Sequence, residues 1–281
     1  MSVLRFSLPL LVISLLVNVL LHPLTSNSDA ILSTPNKNIL LLTAHPDDEC
    51  MFFAPTVLSL TKHHHVEDGE GNEKPLNVFS LALSVGDAEG LGDTRREELG
   101  KSLDVLGVQR GKRWIVDHPE LPDNMTTHWD ANIIAKVIEP YVREHHIDTI
   151  LTFDRHGISS HPNHFSLPAG VLQYIANTPV ESRPRLYSLI TVPLIHKYIG
   201  PAASLLAKFD VKIAALFDDS TRANIHKIPV FVSGAGDWWT AIQAMLEHKS
   251  QMVWFRWLYV AFSRYMWVNE WIEVPLGSMD V

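Results

Sequence analysis

The sequence predicts a doubly wound α/β fold, a mainly parallel sheet with helices on both faces. Three observations predict it. Short runs of Leu, Ile and Val alternate with helical patterns along most of the chain. The first run, Ile39-Leu40-Leu41-Leu42, lacks polar alternation, as a strand buried on both faces does. Chemistry-bearing residues cluster directly after such runs, at the carboxyl ends of strands, where open α/β sheets bind ligands. At 281 residues the chain suffices for one large domain whose core needs no staples.

No Asp, Glu, Lys or Arg lies between Arg5 and Asp29. Phe6 to Leu24 is mostly Leu, Val and Ile, close to the ~20 residues that cross a bilayer, so residues 1–30 read as a transmembrane anchor and linker before a domain over 31–281. A cleaved signal peptide competes, because Thr25 to Ala30 is small and polar. Arg5 and Lys37 flank the run too evenly to orient it. The sequon at Asn124 matters only on a lumenal domain. A net charge of −8 gives bulk electrostatics no means of holding nucleic acid. Cys50 is the only cysteine, which excludes an intramolecular disulfide and a thiolate zinc site.

Strand Ile39–Leu42 runs into Ala44-His45-Pro46-Asp47-Asp48-Glu49, and a helix is expected from Cys50 to Leu60. Four ionisable groups in five residues repel one another and resist burial, so a cation relieves the stretch. His45 and Asp48, three apart, can share one ion, which leaves Asp47 as a base. N-caps and phosphoacceptor sites also carry such acidic pairs, so a second cluster must supply the missing ligand. His63-His64-His65 and the acidic, Gly-rich segment after it read as a solvated loop.

Leu76 to Ser84 reads as the second strand. Thr94-Arg95-Arg96-Glu97 has capping-box spacing and opens a helix that Gly107 can end. Cations in a first turn oppose the helix macrodipole, so an anionic ligand would account for Arg95 or Arg96. Trp114–Val116 and Ile147–Phe153 read as strands on either side of a helix from Asp130 to His146.

After that last strand comes Asp154-Arg155-His156-Gly157-Ile158-Ser159-Ser160-His161-Pro162-Asn163-His164. The HxxH pair mirrors His45-x-x-Asp48 and sits at the same kind of strand end. Two His and one Asp make a three-ligand site with an open position, the pattern of catalytic rather than structural zinc.

Taken together, His45-Pro46-Asp47-Asp48-Glu49, Gly90-Leu91-Gly92 with Arg95 and Glu98-Leu99, and His161-Pro162-Asn163-His164 resemble the PIG-L/LmbE-like deacetylases. The closer resemblance is to the eukaryotic branch, which de-N-acetylates N-acetylglucosaminylphosphatidylinositol. It extends from about Asn38 through His248-Lys249-Ser250-Gln251 and Ser263-Arg264-Tyr265-Met266. The resemblance implies an LmbE-like, Rossmann-type fold and a divalent metal, zinc, held by His45, Asp48 and His164. It implies Asp47 as general base, His161 acting at the acetyl carbonyl or leaving amine, and Arg95 as a residue that can hold the substrate's phosphate. It further implies a phospholipid substrate, the second step of GPI-anchor synthesis, and a single-pass protein of the endoplasmic reticulum membrane with its domain towards the cytosol. Asp87 stands where the family pattern has Asn, and His156 and Ser160 stand where it has Gly.

Arg185–Val192 and Ile228–Val232 read as further strands, with Pro193 to Phe217 largely helical between them. Met252 to Trp271 carries Trp254, Phe255, Trp257, Tyr259, Phe262, Tyr265, Trp267 and Trp271 together with Arg256 and Arg264. That mixture suits a membrane interface and equally suits packing on the sheet. Other readings remain: a secreted or lumenal deacetylase of another N-acetylglucosaminide, and a non-catalytic membrane subunit. Every expected ligand and the base are present, which disfavours the subunit.

Overall fold

The computed structural model describes residues 14, 16–32, 36–62, 65–67, 73–216 and 228–277. The strands of its main sheet are β1 (Leu24–Ser26), β2 (Asn38–Thr43), β5 (Asn77–Ala82), β6 (Arg113–Ile115), β7 (Thr149–Phe153), β8 (Arg185–Leu189), β9 (Val230–Val232) and β10 (Val268–Glu273), while β3 (His65–Glu67) and β4 (Glu73–Pro75) stand apart. The main-sheet strands lie in the order β1-β9-β10-β8-β7-β2-β5-β6. β2 pairs in parallel with β5 and β7, and β6 and β8 extend that parallel core outward. β10 joins β8 and β9 antiparallel, and β1 closes that edge against β9.

The long helices are α1 (Ala54–Lys62), α2 (Gly92–Val105), α3 (Ala131–Glu144), α4 (Pro162–Asn177), α5 (Pro201–Leu216), α6 (Ala235–Glu247) and α7 (Trp254–Phe262). Ile39 to Leu42 are all buried, as an uninterrupted apolar run in a covered parallel strand must be. Asp130 caps α3 by accepting from the backbone N–H groups of Asn132 and Ile133. Gly107 ends the turn after α2 at φ 80°, a left-handed backbone suited to glycine.

The connections place the site. From β2 the chain runs to β5 and β6 on one side, then crosses to β7 and β8 on the other. β2 and β7 therefore flank the point where strand order reverses, and a crevice opens there at their carboxyl ends. Both sequence clusters emerge from those two ends.

Several local expectations change. The helix expected from Cys50 to Leu60 is two pieces, Asp48–Met51 and α1. Asn269 of β10 takes up the polar groups freed at the break: it donates to the Phe52 carbonyl and accepts from the N–H and hydroxyl of Thr56. α2 begins at Gly92, not at a Thr94 cap, because the Asp87 carboxylate accepts the Gly92 N–H at 2.7 Å. Only an acceptor oxygen is needed there, so Asp serves where the family pattern has Asn. His65–Glu67 (β3) pairs with Glu73–Pro75 (β4) as a small hairpin where a loop was expected; His63, His64 and the acidic segment 68–72 lie outside the described residues.

Met252–Trp271 divides into α7 and, after a short 3-10 turn, β10. Among the described residues no helix is long and apolar enough to cross a membrane, and much of the run from Phe6 lies outside them. Its described end is helical over 16–21 and passes into β1, with the Lys208 ammonium bonded to the carbonyls of Val19 and His22.

Candidate active site

A cavity of about 520 Å³ opens at the β2/β7 switch point. His45, Asp47 and Asp48 line it from the end of β2, and His161 and His164 from the loop and helix after β7. Five of the six residues singled out in the sequence thus meet in one cavity. Ligand atoms of His45, His161 and His164 all lie within 4.8 Å of one another. The Asp48 carboxylate faces His164 Nε2 at 3.2 Å.

The hydrogen bonds assign each ring a role. His164 Nδ1 lies 3.0 Å from the Gly157 carbonyl, which can only accept, so Nδ1 carries a proton and Nε2 is the atom turned to Asp48. His45 Nε2 lies 2.9 Å from Asn163 Oδ1, an oxygen that also accepts the Asn124 N–H, so His45 donates from Nε2 and Nδ1 keeps its lone pair. His161 is the opposite case. Its Nδ1 accepts the Asn163 N–H at 3.2 Å, which places the proton on Nε2. A protonated nitrogen donates hydrogen bonds and does not bind a metal. The network therefore separates two imidazoles able to act as ligands from one able to act as a donor.

Asp48 fits the first pair. Burial would raise its pKa, but His164 and His45 hold it well below the usual carboxylate range. Its second oxygen accepts the N–H groups of Ala44 and His45, each at 3.0 Å. Burial would lower the His164 pKa, but the charge and hydrogen bond of Asp48, 3.2 Å away, raise it above the ordinary value. The buried carboxylate calls for positive charge at that nitrogen, which a bound cation would supply. His45, Asp48 and His164 form an N/N/O donor set suited to a divalent ion such as zinc.

Asp47 stands apart from that set. Its backbone is left-handed, at φ 103°, which turns its carboxylate away from Asp48's role. Burial pushes its pKa up to about 6 against the opposing charge of Arg256. Arg256 of α7 donates to its Oδ2 at 2.6 Å and Gln251 at 2.9 Å, and Gln251 also grips the Pro46 carbonyl. Beneath, the Asp47 N–H bonds to Glu49, whose other oxygen accepts from Ser102 at 2.5 Å and His248 at 2.7 Å. Glu49, Cys50 and His248 also cluster at ligand distances, but all three are buried and Glu49 is occupied by this network, so they brace Asp47.

Arg95 lies beside the cavity. Its guanidinium bonds Glu89 and the Gly86 carbonyl and lies 3.7 Å from Asp123. Asp123 Oδ1 lies 3.3 Å from His45 Nε2 and 3.6 Å from His161 Nε2. Part of the negative charge expected opposite Arg95 therefore comes from the chain itself. Arg96 is exposed, and His156 is exposed and does not line the cavity. Ser160 has φ 65°, the backbone for which the family pattern supplies Gly.

Sequence reasoning missed Asp123, Asn163, Gln251 and Arg256. Asn163 and Gln251 fall within motifs of the family resemblance, but nothing local marks their contacts to His45 and Asp47. Asp123 and Arg256 sit in stretches that carry no local catalytic signal, and only tertiary folding brings them to the site.

The sequence profile of the family described as GlcNAc-PI de-N-acetylase matches residues 40–175, from β2 almost to the end of α4. The N-acetylglucosaminyl-phosphatidylinositol de-N-acetylase of Bos taurus is 35% identical over 235 residues, covering 82% of this chain and 81% of that protein. The protein of the same name from Arthroderma benhamiae is 35% identical over 289 residues, covering 84% and 86%. The chain belongs to the GlcNAc-PI de-N-acetylase family. Its fold is shared beyond that family's sequences: N,N'-diacetylchitobiose deacetylase from Pyrococcus horikoshii superposes with a TM-score of 0.53 at 16% identity, over 88% of this chain and 90% of that one.

Proposed function

We propose that this protein hydrolyses the N-acetyl group of N-acetylglucosaminylphosphatidylinositol, giving glucosaminylphosphatidylinositol and acetate. The convergence of a clamped carboxylate, a ligand-ready N/N/O set and a donor imidazole in one cavity carries the proposal. His45, Asp48 and His164 would hold a divalent ion, zinc by donor type, although Fe, Mn or Co also suit such a set. When bound, the ion supplies Lewis-acid polarisation and a lowered pKa for water.

The chain's own residues do the rest. Asp47, ionised and aimed by Arg256 and Gln251, accepts the proton of the attacking water. His161 donates a hydrogen bond from Nε2 to the acetyl oxygen as negative charge develops there. The proton held by Asp47 passes to the glucosamine nitrogen, directly or through His161, as the C–N bond breaks and acetate leaves. Asp123 offers sugar hydroxyls an acceptor, and Arg95 beside it gives the inositol phosphate a guanidinium partner.

We place the enzyme in the endoplasmic reticulum membrane, anchored once through the apolar run from Phe6, with its domain towards the cytosol. Two features support that side. Cys50 is single and buried. The sequon Asn124 adjoins Met125 of the cavity lining, where a glycan would crowd the mouth. Resistance of the protein's mobility to glycosidase would agree; a shift would move the domain to the lumen.

The test is acetate release from N-acetylglucosaminylphosphatidylinositol in vesicles, compared with free N-acetylated sugars, before and after chelation. Release from the phospholipid, lost on chelation and restored by divalent metal, is expected. Release from free sugars alone would replace this reading with a deacetylase of another N-acetylglucosaminide.

A further inference from the structure

The helix α7 buries Val260 but turns most of its apolar side chains outward. Trp254, Trp257, Leu258, Ala261 and Phe262 recur at helical spacing along one face, and all five are exposed, Trp254 at 76%. The polar residue of the helix, Arg256, points inward to Asp47. Tyr259 also turns inward and donates to the Met51 carbonyl. A helix on a water-facing surface does the opposite, so this apolar face calls for a partner.

The location narrows the choice. Phe255 and Arg256 line the cavity from α7, and across the mouth stand Leu194, Lys197 and Tyr198 of the segment after β8. Leu194 and its neighbour Ile195 are exposed at 70% and 83%. Two elements about sixty residues apart in sequence thus bring bare aliphatic and aromatic groups to the rim of one cavity. The patch continues. The Gly200 N–H bonds to the Phe262 carbonyl, which joins the end of α7 to the start of α5, and α5 exposes Leu206 and Phe209. Lys208 of α5 in turn holds the carbonyls of Val19 and His22, where the apolar N-terminal run enters the domain.

We infer that α7, with the Leu194–Tyr198 segment, is a bilayer-docking surface that seats the cavity mouth on the lipid from which the substrate is drawn. The inference rests on the phospholipid substrate proposed above. A phospholipid keeps its acyl chains in the bilayer while its sugar must reach Asp47, so a rim that enters the interface shortens that path. Trp, Phe and Tyr suit the headgroup boundary, where amphipathic rings meet lipid. The face of α7 carries no charged side chain, whereas a protein-docking rim usually carries polar groups.

The experiment uses the full chain reconstituted in phosphatidylcholine–phosphatidylinositol vesicles. Cys50 is buried, so Trp257→Cys gives one site for an environment-sensitive fluorophore. Lys136→Cys, exposed on α3 outside the cavity, is the control. Lipids carrying a nitroxide on the acyl chain should quench the label at 257 several-fold more than the label at 136. Equal quenching overturns the inference, whether the face is then bare or covered by another protein.

A second arm uses Trp254→Ser with Trp257→Ser. KM for substrate in vesicles should rise about tenfold, or ~1.4 kcal/mol, while turnover of a water-soluble N-acetylglucosaminyl-inositol phosphate stays unchanged. An unchanged KM on vesicles overturns the inference. Loss of turnover on both substrates would assign the face to folding and also overturn it. Were the parent to release no acetate from either substrate, the proposed function would fall; the quenching arm would still read the surface by itself.

Discussion

Trp257 and Trp271 stand fourteen residues apart in one aromatic stretch, and the fold treats them in opposite ways. Trp271 lies on β10, fully buried, stacked on Phe53 with its indole N–H donated to Thr56. Trp257 lies on α7 and is about half exposed. Both halves are rich in aromatics and each carries one arginine; their hydrogen-bonding partners differ. β10 has β8 and β9 to pair with, so its side chains alternate into a covered sheet. α7 is anchored by Arg256 on Asp47 and by the Tyr259 hydroxyl on the Met51 carbonyl, and those anchors leave its apolar face turned outward. Aromatic richness marks a segment as important, and pairing decides whether it serves the core or a surface.

The comparison can be broken by mutation. Trp271→Ala should cost about 3–5 kcal/mol in denaturant unfolding, from lost burial and the cavity left behind. Trp257→Ala should stay within about 0.5 kcal/mol in the same assay, as exposed sites do. Similar costs at both positions would erase the distinction.

Next in size is the anchor itself. Arg256→Ala frees Asp47 from its guanidinium clamp and should lower kcat about 10²-fold. Arg256→Lys should recover part of that loss, with KM little changed in either variant. Full activity in Arg256→Ala would show that Gln251 and the Glu49 network suffice to hold the base.

A smaller effect concerns the brace below. Burial lowers the His248 pKa, but the charge and hydrogen bond of Glu49 outweigh it and leave the pKa above the ordinary histidine value. A raised folded-state pKa contributes stability that is fully present below the unfolded value of about 6.5 and is lost as pH rises through the folded one. The melting temperature should therefore fall on the alkaline side, and His248→Gln should flatten that fall. An identical pH profile in the variant would remove His248 from the account.

Smallest is Ser160→Gly. At φ 65° glycine avoids a steric cost that serine bears, so a gain of about 0.5 kcal/mol is expected, net of the greater freedom of the unfolded chain. A loss would mean that the Ser160 side chain supports the loop by contacts.

Legibility in the sequence followed range. The parallel core was readable because a covered strand needs an unbroken apolar run, as in Ile39–Leu42. His45, Asp48, His161 and His164 were readable because each pair is local, three residues apart at a strand end. Even the misfit at Ser160 was readable, since it marks a backbone constraint within one loop. The clamp on Asp47 was not. Arg256 lies 209 residues from it and sits among aromatics whose composition speaks of membranes, not catalysis. The break at Phe52 was hidden for the same reason, because Asn269 supplies its hydrogen bonds from the far end of the chain. Asp123 was obscured in a loop whose path is set by Asn163 and Trp129.

The most direct measurement is acetate release from N-acetylglucosaminylphosphatidylinositol by Asp47→Asn, with bound metal quantified in the same sample. If Asp47 is the base and not a ligand, metal content should match the parent while acetate release falls by at least about 10²-fold. Parent-like release with metal retained would contradict the role assigned to Asp47. Loss of the metal along with the activity would instead make Asp47 a ligand and collapse the division between base and metal set.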